Sequence, residues 1–426
     1  MIIYRAWVQR DEIMKAVILA AGRGTRLEPV TSDISKCMLT IAGRPILEHI
    51  LDQVKEAGIT DVIVIVGYKK ERIIDYCGDG SDLGLNIEYI YQKEMKGTAH
   101  AIGLVDLDED FLVLNGDTLI SSEDIGSVVN GHDSVATIGV RKTDDPSHYG
   151  VVKLEDDRVK AIIEKPKEFV SDLANTGVYV FSPKIFDAIK RTKKSVRGEY
   201  EITSSIEILI EEGEVVRGIE IKGMWSDIGN PWNYLDSNQE ILRGMKGKID
   251  GTVEDNVMVK GTLILGRNSV VKSGTYLEGP VYIGEDTVVG PNAFIRSFTS
   301  IGNNCRIGNA VELKNSIIMD NSNVPHLSYV GDSIIGKNCN FGAGTLVGNL
   351  RLDEKSVKMK IRDELTDTGR RKMGCVVGDN VKTGLNVMIN SGRKIGSNSM
   401  IGPGVVVYRD VPANSFIVKK QELEMR

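Results

Sequence analysis

Residues 283–313 read IGEDTVVGPNAFIRSFTSIGNNCRIGNAVEL, in which Ile283, Val289, Ile295, Ile301, Ile307 and Leu313 are spaced by six and Gly284, Gly290, Gly302 and Gly308 follow four of them. The register returns as Ile335, Phe341 and Val347, and again as Val377, Thr383, Ile389, Ile395, Ile401 and Val407. An α-helical period does not persist in this way. A period of six suits a parallel β-helix in which each strand plus corner uses one repeat, with the aliphatic side chain inside and the small residue at the turn. Two stretches interrupt the register, 319–331 and 349–374. Insertions in a solenoid are expected as projecting loops, and function is expected there.

Upstream the pattern changes. Of the 45 glycines, 23 lie in residues 1–250 and 22 in the shorter remainder. From residue 15 to about 245, short apolar runs alternate with amphipathic helical patterns. Ala16 to Ala20, Val62 to Val66 and Phe111 to Leu114 read as buried strands, while Ile46, Ile50, Val54 and Ala57 share a helical face that stops at Gly58. This alternation predicts a mostly parallel sheet with helices on both faces. A last helix is expected from Pro231 to about Arg243, with a linker at Gly244 to Gly247. The expected division is an extension over 1–14, an α/β domain over 15–246 and a β-helix over 250–420. The extension has no assigned role, and Met14, directly before the first strand, is an alternative start of translation.

Composition narrows the function classes. The chain has 426 residues, 41% hydrophobic and 26% charged, which suits two or three soluble globular units. Its mean hydropathy is -0.11, and no apolar run approaches the roughly 18 residues of a membrane span. A net charge of -6 without basic blocks disfavours nucleic acid as the main partner. The five cysteines, Cys37, Cys77, Cys305, Cys339 and Cys375, are scattered and form no CxxC pair, so a reducing cytoplasm is expected, with neither a disulfide framework nor a zinc site.

Residues 19–27, LAAGRGTRL, follow the first strand as a glycine-rich turn whose N–H groups can approach phosphate oxygens at a helix N-terminus. The spacing is neither a dinucleotide fingerprint nor a Walker A loop. Arg26 and Lys36 could add charge-assisted contacts to a polyphosphate, although either alone is more often a solvated surface charge. Asn115-Gly116-Asp117 closes the strand Phe111 to Leu114, at the strand ends where open α/β sheets bind ligands. An acid there can hold Mg²⁺ on phosphates, or serve as a turn or capping aspartate. His49 lies off its helix's apolar stripe, and His132 and His148 sit in polar stretches, so all three are expected on the solvated surface.

Eight segments in order, LAAGRGTRL, Lys36, Gln92 to Ala99, NGD at 115–117, YG at 149–150, EKP at 164–166, NTG at 175–177 and WSDIG at 225–229, resemble the motif series of sugar-1-phosphate nucleotidylyltransferases. Cys37 departs from the proline common after that lysine. The resemblance implies an α/β Rossmann-like nucleotidyltransferase domain that joins a nucleoside triphosphate to a sugar 1-phosphate and releases pyrophosphate. It implies Mg²⁺ on Asp117 and Asp227, with Arg26, Lys36 and the turn residues Ala20, Gly22 and Gly24 on the triphosphate. Gln92, Gly97 and Thr98 would contact the base. Gly150, Glu164, Asn175 and Thr176 would contact the sugar, with Lys165 near its phosphate. Such chemistry needs positioning and charge neutralisation, and the ionised phosphate nucleophile needs no base. A glutamine can exchange two hydrogen bonds with the imide edge shared by uracil and thymine, which favours UTP or dTTP.

In the second half, His326 has company: Arg296 follows an inward position, Lys314 ends VELK, and FGAGTLVGN follows at 341–349. The set resembles the acetyltransferase half of bifunctional amino-sugar-1-phosphate uridylyltransferase/acetyltransferases, whose β-helix is left-handed and built of hexapeptide repeats. That implies His326 as the general base toward glucosamine 1-phosphate, Arg296 and Lys314 on its phosphate, Tyr329 and Asn349 orienting the amine, and acetyl-CoA lying along the coils from about Ala343. The charged segment 351–374 resembles archaeal members, and a solvated loop is expected for it. The family also implies a homotrimer through the β-helix.

A bifunctional enzyme is therefore expected. The alternatives are a glucose-1-phosphate thymidylyltransferase or uridylyltransferase with a noncatalytic β-helix used for assembly, and a sensor without turnover, against which the presence of Asp117 and Asp227 counts.

Overall fold

The computed structural model describes residues 14–146, 149–166 and 168–420. Residues 1–13 of the expected extension, and His148, lie outside them. Two compact units emerge, one from residues 14–23, 35–38 and 46–227, the other from 24–34, 39–45 and 228–420.

The first unit is built on a nine-stranded sheet in the order Asn86–Tyr91, Asp61–Val66, Lys15–Ala20, Phe111–Asn115, Leu173–Phe181, Ala136–Lys142, Val216–Glu220, Arg158–Glu164, Gly150–Glu155. The first four strands are parallel, as the alternating pattern predicts. Beyond them the sheet is largely antiparallel, Val216–Glu220 alone running parallel to its neighbour Ala136–Lys142. The expectation of a mostly parallel sheet thus holds for one half only. Asp156 and Asp157 join Glu155 to Arg158 in a two-residue turn, with Asp156 at φ 56°, and parallel pairing needs a far longer crossover. Central strands such as DVIVIV are covered on both faces, which is why they are continuously apolar. The helix Ile46–Glu56 buries Ile46, Leu47, Ile50, Leu51 and Val54 and is followed by Gly58 at φ 90°. His132, expected in solvent, is 2% exposed, and its Nδ1 lies 2.9 Å from Thr137 Oγ1.

The second unit carries three faces of short parallel strands coiled about one axis. Register partners such as Val289 and Ile307, or Ile295 and Leu313, sit one coil apart, and hydrogen bonds recur at a separation of 18 residues. The six-spaced aliphatic residues fill the interior, from Leu265, Val271 and Leu277 through Ile401 and Val407. Corners turn through left-handed backbone at asparagines, and Asn338, Asn380, Asn398 and Asn414 hydrogen-bond in sequence, side chain to side chain, at 3.2, 2.9 and 3.2 Å.

Residues 319–331 do not interrupt the coil. Leu313 to Ile318 and Val330 to Ile335 are steps of five, and between them Ile318, Val324 and Val330 keep the inward register, all 0–1% exposed. His326 accordingly ends the strand Asn323–His326 and lies in no projecting loop. The second interruption is a true insertion: Asn338 and Asn380 are stacked although 42 residues apart. Inside it Lys358–Ile361 and Glu364–Asp367 form an antiparallel hairpin, and Val357, Met359, Ile361 and Met373 are buried. The expected solvated loop is therefore half wrong, because KMKI alternates with period two and one face finds cover.

The helix Pro231–Gly244 begins as expected, with a capping box between Asn230 and Asn233. It packs in this unit: Asn238 Nδ2 donates to Phe298 O at 2.9 Å, and Ser300 Oγ donates to Asn238 Oδ1 at 2.6 Å.

Candidate active sites

In the first unit the register of Lys15–Ala20 against Phe111–Asn115 brings Leu19 beside Asn115, so the turn at Gly22 and Asp117 leave the sheet at one edge. Gly116 N donates to Leu19 O at 3.0 Å, and a Cβ on Gly116 would come within 2.8 Å of that oxygen, so the NGD turn needs its glycine. Lys36 Nζ donates to Asp117 Oδ2, both side chains being largely enclosed. Trp225–Asp227 pairs with Thr118–Ile120, which sets Asp227 opposite Thr118, one residue from Asp117. This register brings two acidic residues close along the backbone, and a pair of carboxylates is suited to a hard cation that takes its remaining oxygens from phosphates. Among the described residues no cluster of three acidic, histidine or cysteine side chains offers a protein-only cage.

Gln92 follows Asn86–Tyr91 and is buried; its Nε2 donates to Gly97 O at 3.2 Å and lies 2.9 Å from His100 Nδ1. The donor end of the amide is thus engaged within the protein, and the expected two-bond exchange with a base reduces to acceptance at Oε1. Gly97, at φ 114°, lies against Tyr200, whose carbonyl a Cβ would approach to 2.4 Å. Thr98 Oγ1 accepts from Ile202 N at 2.9 Å, a structural use of that hydroxyl.

Gly150, Glu164 and Asn175 converge: a Cβ on Gly150 would lie 3.1 Å from Glu164 Oε2 and 3.5 Å from Asn175 Nδ2. Burial, and secondarily Glu201, push the Glu164 carboxyl above the usual carboxylate range, against the pull of Lys165 and Arg197. Arg197 Nη1 donates to Glu164 Oε1 at 2.9 Å, a partner that sequence reasoning missed because it comes from a distant loop. Lys165 has left-handed backbone, φ 46°, and its N–H donates to Tyr149 O at 3.1 Å. Thr176 turns inward, donating from Oγ1 to Gly139 O at 2.7 Å, while its carbonyl accepts from Trp225 Nε1 at 3.0 Å. Trp225 and Tyr149 meet ring to ring at 5.1 Å.

Ala20 is 3% exposed, so only its backbone can face a ligand. In place of the expected helix N-terminus, Gly24 (φ 73°) leads into a single 3₁₀ turn, Thr25–Leu27. Arg26 and Gly24 belong to the second unit, where a Cβ on Gly229 would meet Arg26 Nη1 at 3.1 Å.

Elsewhere in the second unit three of the expected residues, Lys314, Tyr329 and Asn349, join one polar cluster, while Arg296 stacks beside Lys314 without entering it. Leu313 pairs with Ile295, which stacks Arg296 and Lys314 on successive coils, and Lys314 pairs with Gly331. Asp332, overlooked in the sequence, is its hub. Only 4% exposed, it accepts from Asn315 Nδ2 at 2.8 Å, Asn349 Nδ2 at 2.6 Å and Lys314 Nζ at 3.2 Å. Asn349 Nδ2 also donates to Tyr329 Oη at 3.0 Å. Burial, and then Asp332, push the Tyr329 phenol above its ordinary range. A side chain on Gly331 would collide with Tyr329 Oη at 2.4 Å. Arg296 Nη1 donates to Glu312 Oε1 at 3.0 Å. His326 is exposed; its carbonyl accepts from Ser328 Oγ at 2.7 Å and Gly344 N at 3.3 Å, which fixes the backbone beside Ala343.

The nucleotidyl transferase family model matches residues 15–244, and a GMPPB C-terminal domain model matches 277–393. A "Bifunctional protein GlmU" of Methanocaldococcus jannaschii is 42% identical over 97% of this chain and 99% of its own. A bifunctional sugar-1-phosphate nucleotidylyltransferase/acetyltransferase of Sulfurisphaera tokodaii is 41% identical over 95% and 99%. A glucose-1-phosphate thymidylyltransferase of Streptomyces antibioticus is 36% identical over 76% and 92%. A solved Bacillus anthracis structure, described as a glucose-1-phosphate thymidylyltransferase, superposes with a TM-score of 0.50 at 31% identity, over 55% of this chain and 97% of that one. The chain belongs to the nucleotidyl transferase family and, by its full-length relatives, to the archaeal bifunctional sugar-1-phosphate nucleotidylyltransferase/acetyltransferases.

Proposed function

We propose that this enzyme acetylates glucosamine 1-phosphate with acetyl-CoA and then joins the N-acetylated sugar 1-phosphate to UTP or dTTP, releasing pyrophosphate. The observation that carries the acetyl-transfer half is the buried cluster of Lys314, Asp332, Asn349 and Tyr329. A coil used only for assembly has no need to bury a carboxylate under three donors.

In the acetyl-transfer step the amine nitrogen attacks the thioester carbonyl and forms the C–N bond while His326 takes its proton; the C–S bond then breaks and His326 returns the proton to the departing sulfur, so that coenzyme A leaves as the thiol. Arg296 and Lys314 hold the sugar phosphate, Asn349 and Tyr329 orient the amine, and coenzyme A runs along the coils from Ala343. In the nucleotidyl step a phosphate oxygen of the sugar attacks the α-phosphorus in line with the departing pyrophosphate. Lys36 and Arg26 neutralise the leaving group, Lys165 lies near the sugar phosphate, and Glu164, Asn175 and the backbone of Gly150 and Thr176 hold the sugar hydroxyls. Asp117 and Asp227 would hold Mg²⁺, which would supply the remaining charge neutralisation. Gly22, Gly24 and Ala20 offer backbone to the triphosphate. A left-handed coil, a homotrimer and a cytoplasmic location are part of the same reading. Exposed Met258, Leu346 and Met388, along one face of the coil, support association between copies.

The test is coenzyme A release from acetyl-CoA with glucosamine 1-phosphate, comparing wild type with His326→Ala. Amino-sugar-dependent release that disappears in the variant is expected, with pyrophosphate release preserved. The likeness to a thymidylyltransferase over 76% of the chain favours a second reading, an assembly coil behind a single active site; absence of any release by wild type selects it.

A further inference from the structure

Gln92 and His100 form a pair whose polarity has a consequence for base choice. Gln92 is 4% exposed, and two acceptors, Gly97 O at 3.2 Å and His100 Nδ1 at 2.9 Å, face its Nε2. A primary amide is nearly symmetric in shape but opposite in hydrogen bonding at its two ends. Acceptors at one end therefore decide what the other end presents, and here that is Oε1. Uracil and thymine carry a donor, N3–H, where cytosine carries a lone pair. An accepting Oε1 takes the first two bases and repels the third.

We propose that His100 is a positioning residue for base specificity: the lone pair on its Nδ1 holds the Gln92 amide so that Oε1 faces the N3–H of uracil or thymine. The inference rests on the reading that Gln92 meets the base. His100 itself touches no substrate and acts through Gln92.

Local structure suits the role. His100 lies on the short helix Thr98–Ile102, which is tied down at both sides: Ala99 N donates to Tyr200 O at 2.9 Å, and Ile202 N donates to Thr98 Oγ1 at 2.9 Å. Gly97 brings the chain close to Tyr200 in a backbone conformation that other residues reach only with strain. Burial, and then Lys96, hold the imidazole below its ordinary pKa, against the weaker effect of Glu94. A neutral ring with its proton on Nε2 leaves Nδ1 as the acceptor that Gln92 requires. Gly97 O alone, at the longer distance, is the weaker half of the lock.

The experiment compares UTP with CTP in pyrophosphate release for wild type, His100→Leu, His100→Asn and Gln92→Leu. Asparagine places Oδ1 where Nδ1 stood and restores the acceptor; leucine does not. His100→Leu is expected to lower the UTP-to-CTP ratio of kcat/KM about fivefold to tenfold, the loss of one net hydrogen bond, through KM with kcat held. His100→Asn is expected to recover most of it. Discrimination lost in Gln92→Leu but kept in His100→Leu overturns the role of His100 while leaving base reading by Gln92 intact. Discrimination kept in Gln92→Leu refutes the base reading, and the proposal with it. Equal losses for both nucleotides in the two His100 variants, with a lowered unfolding midpoint, mark a merely structural histidine and also overturn it.

Discussion

Replacing Asp332 by Asn tests whether the acetyl-transfer cluster is held together electrostatically. The backbone of Asp332 is left-handed, φ 51°, which asparagine tolerates, so the variant keeps shape and turn. What changes is one oxygen for an NH₂ group and the loss of a charge. Oδ1 accepts from Asn315 at 2.8 Å and Oδ2 from Asn349 at 2.6 Å, so either orientation of the new amide deprives one of them of its acceptor. That costs about 1–3 kcal/mol for a buried donor. Lys314 loses its counter-ion, but its side chain is 21% exposed and can rehydrate, so about 1 kcal/mol is assigned to that pair. The total of about 2–4 kcal/mol divides between fold and site. Taken wholly at the site it corresponds to a fall in kcat/KM for glucosamine 1-phosphate of about 30-fold to 1,000-fold. Coenzyme A release measures it, while UTP-dependent pyrophosphate release should stay within about twofold, because the residues assigned to that step include none of the partners of Asp332. A folded Asp332→Asn enzyme with wild-type kcat/KM in acetyl transfer would refute the reasoning.

Gly177→Ala should abolish nucleotidyl transfer and spare acetyl transfer, since the residue sits at φ 77° and a Cβ would lie 2.3 Å from Asn115 Nδ2. The combined strain and collision cost about 2–4 kcal/mol, readable as a lowered first transition in thermal unfolding. Lys394 is pushed down to about 8 by burial, against the raising effects of Asp410 and Glu28. Between about pH 8 and 10.5 the unfolded chain binds the extra proton, so stability from this group rises with pH there. The penalty below that window is on the order of 3 kcal/mol. Lys394→Met should raise the urea midpoint at pH 7.5, and the gap to wild type should narrow by pH 9.5; a gap independent of pH counts against the assignment.

The six-residue register was legible because each of the three sides of a coil turn demands one inward aliphatic residue, and Ile283 through Leu313 meet that demand without exception. It failed at 319–331 for a physical reason: corners accept five residues as well as six, and a fixed period counts the shorter corner as a break. The hairpin in the insertion left a signal that was passed over, the alternation of Met359 and Ile361 with lysines. Asp117 and Lys36 could be singled out from their motifs, but their pairing spans 81 residues and only the fold brings it about. Asp332 and Arg197 had no local signature at all, one being a lone aspartate in a corner and the other a lone arginine in a loop. His132 was misjudged because polar neighbours in sequence, Asp133 and Ser134, say nothing about the sheet that covers it.

The two five-residue steps fall at Leu313–Ile318 and Val330–Ile335, and Asn315 and Asp332, which hydrogen-bond each other from a separation of 17, occupy those very corners. The polar cluster proposed for acetyl transfer is thus encoded in spacing as much as in residue identity. No set of substitutions on a regular eighteen-residue coil would recreate it, and returning a single residue to either corner would pull hub and partners out of step while leaving every named side chain in the sequence. For anyone transplanting this activity onto another repeat scaffold, the first edit is a deletion.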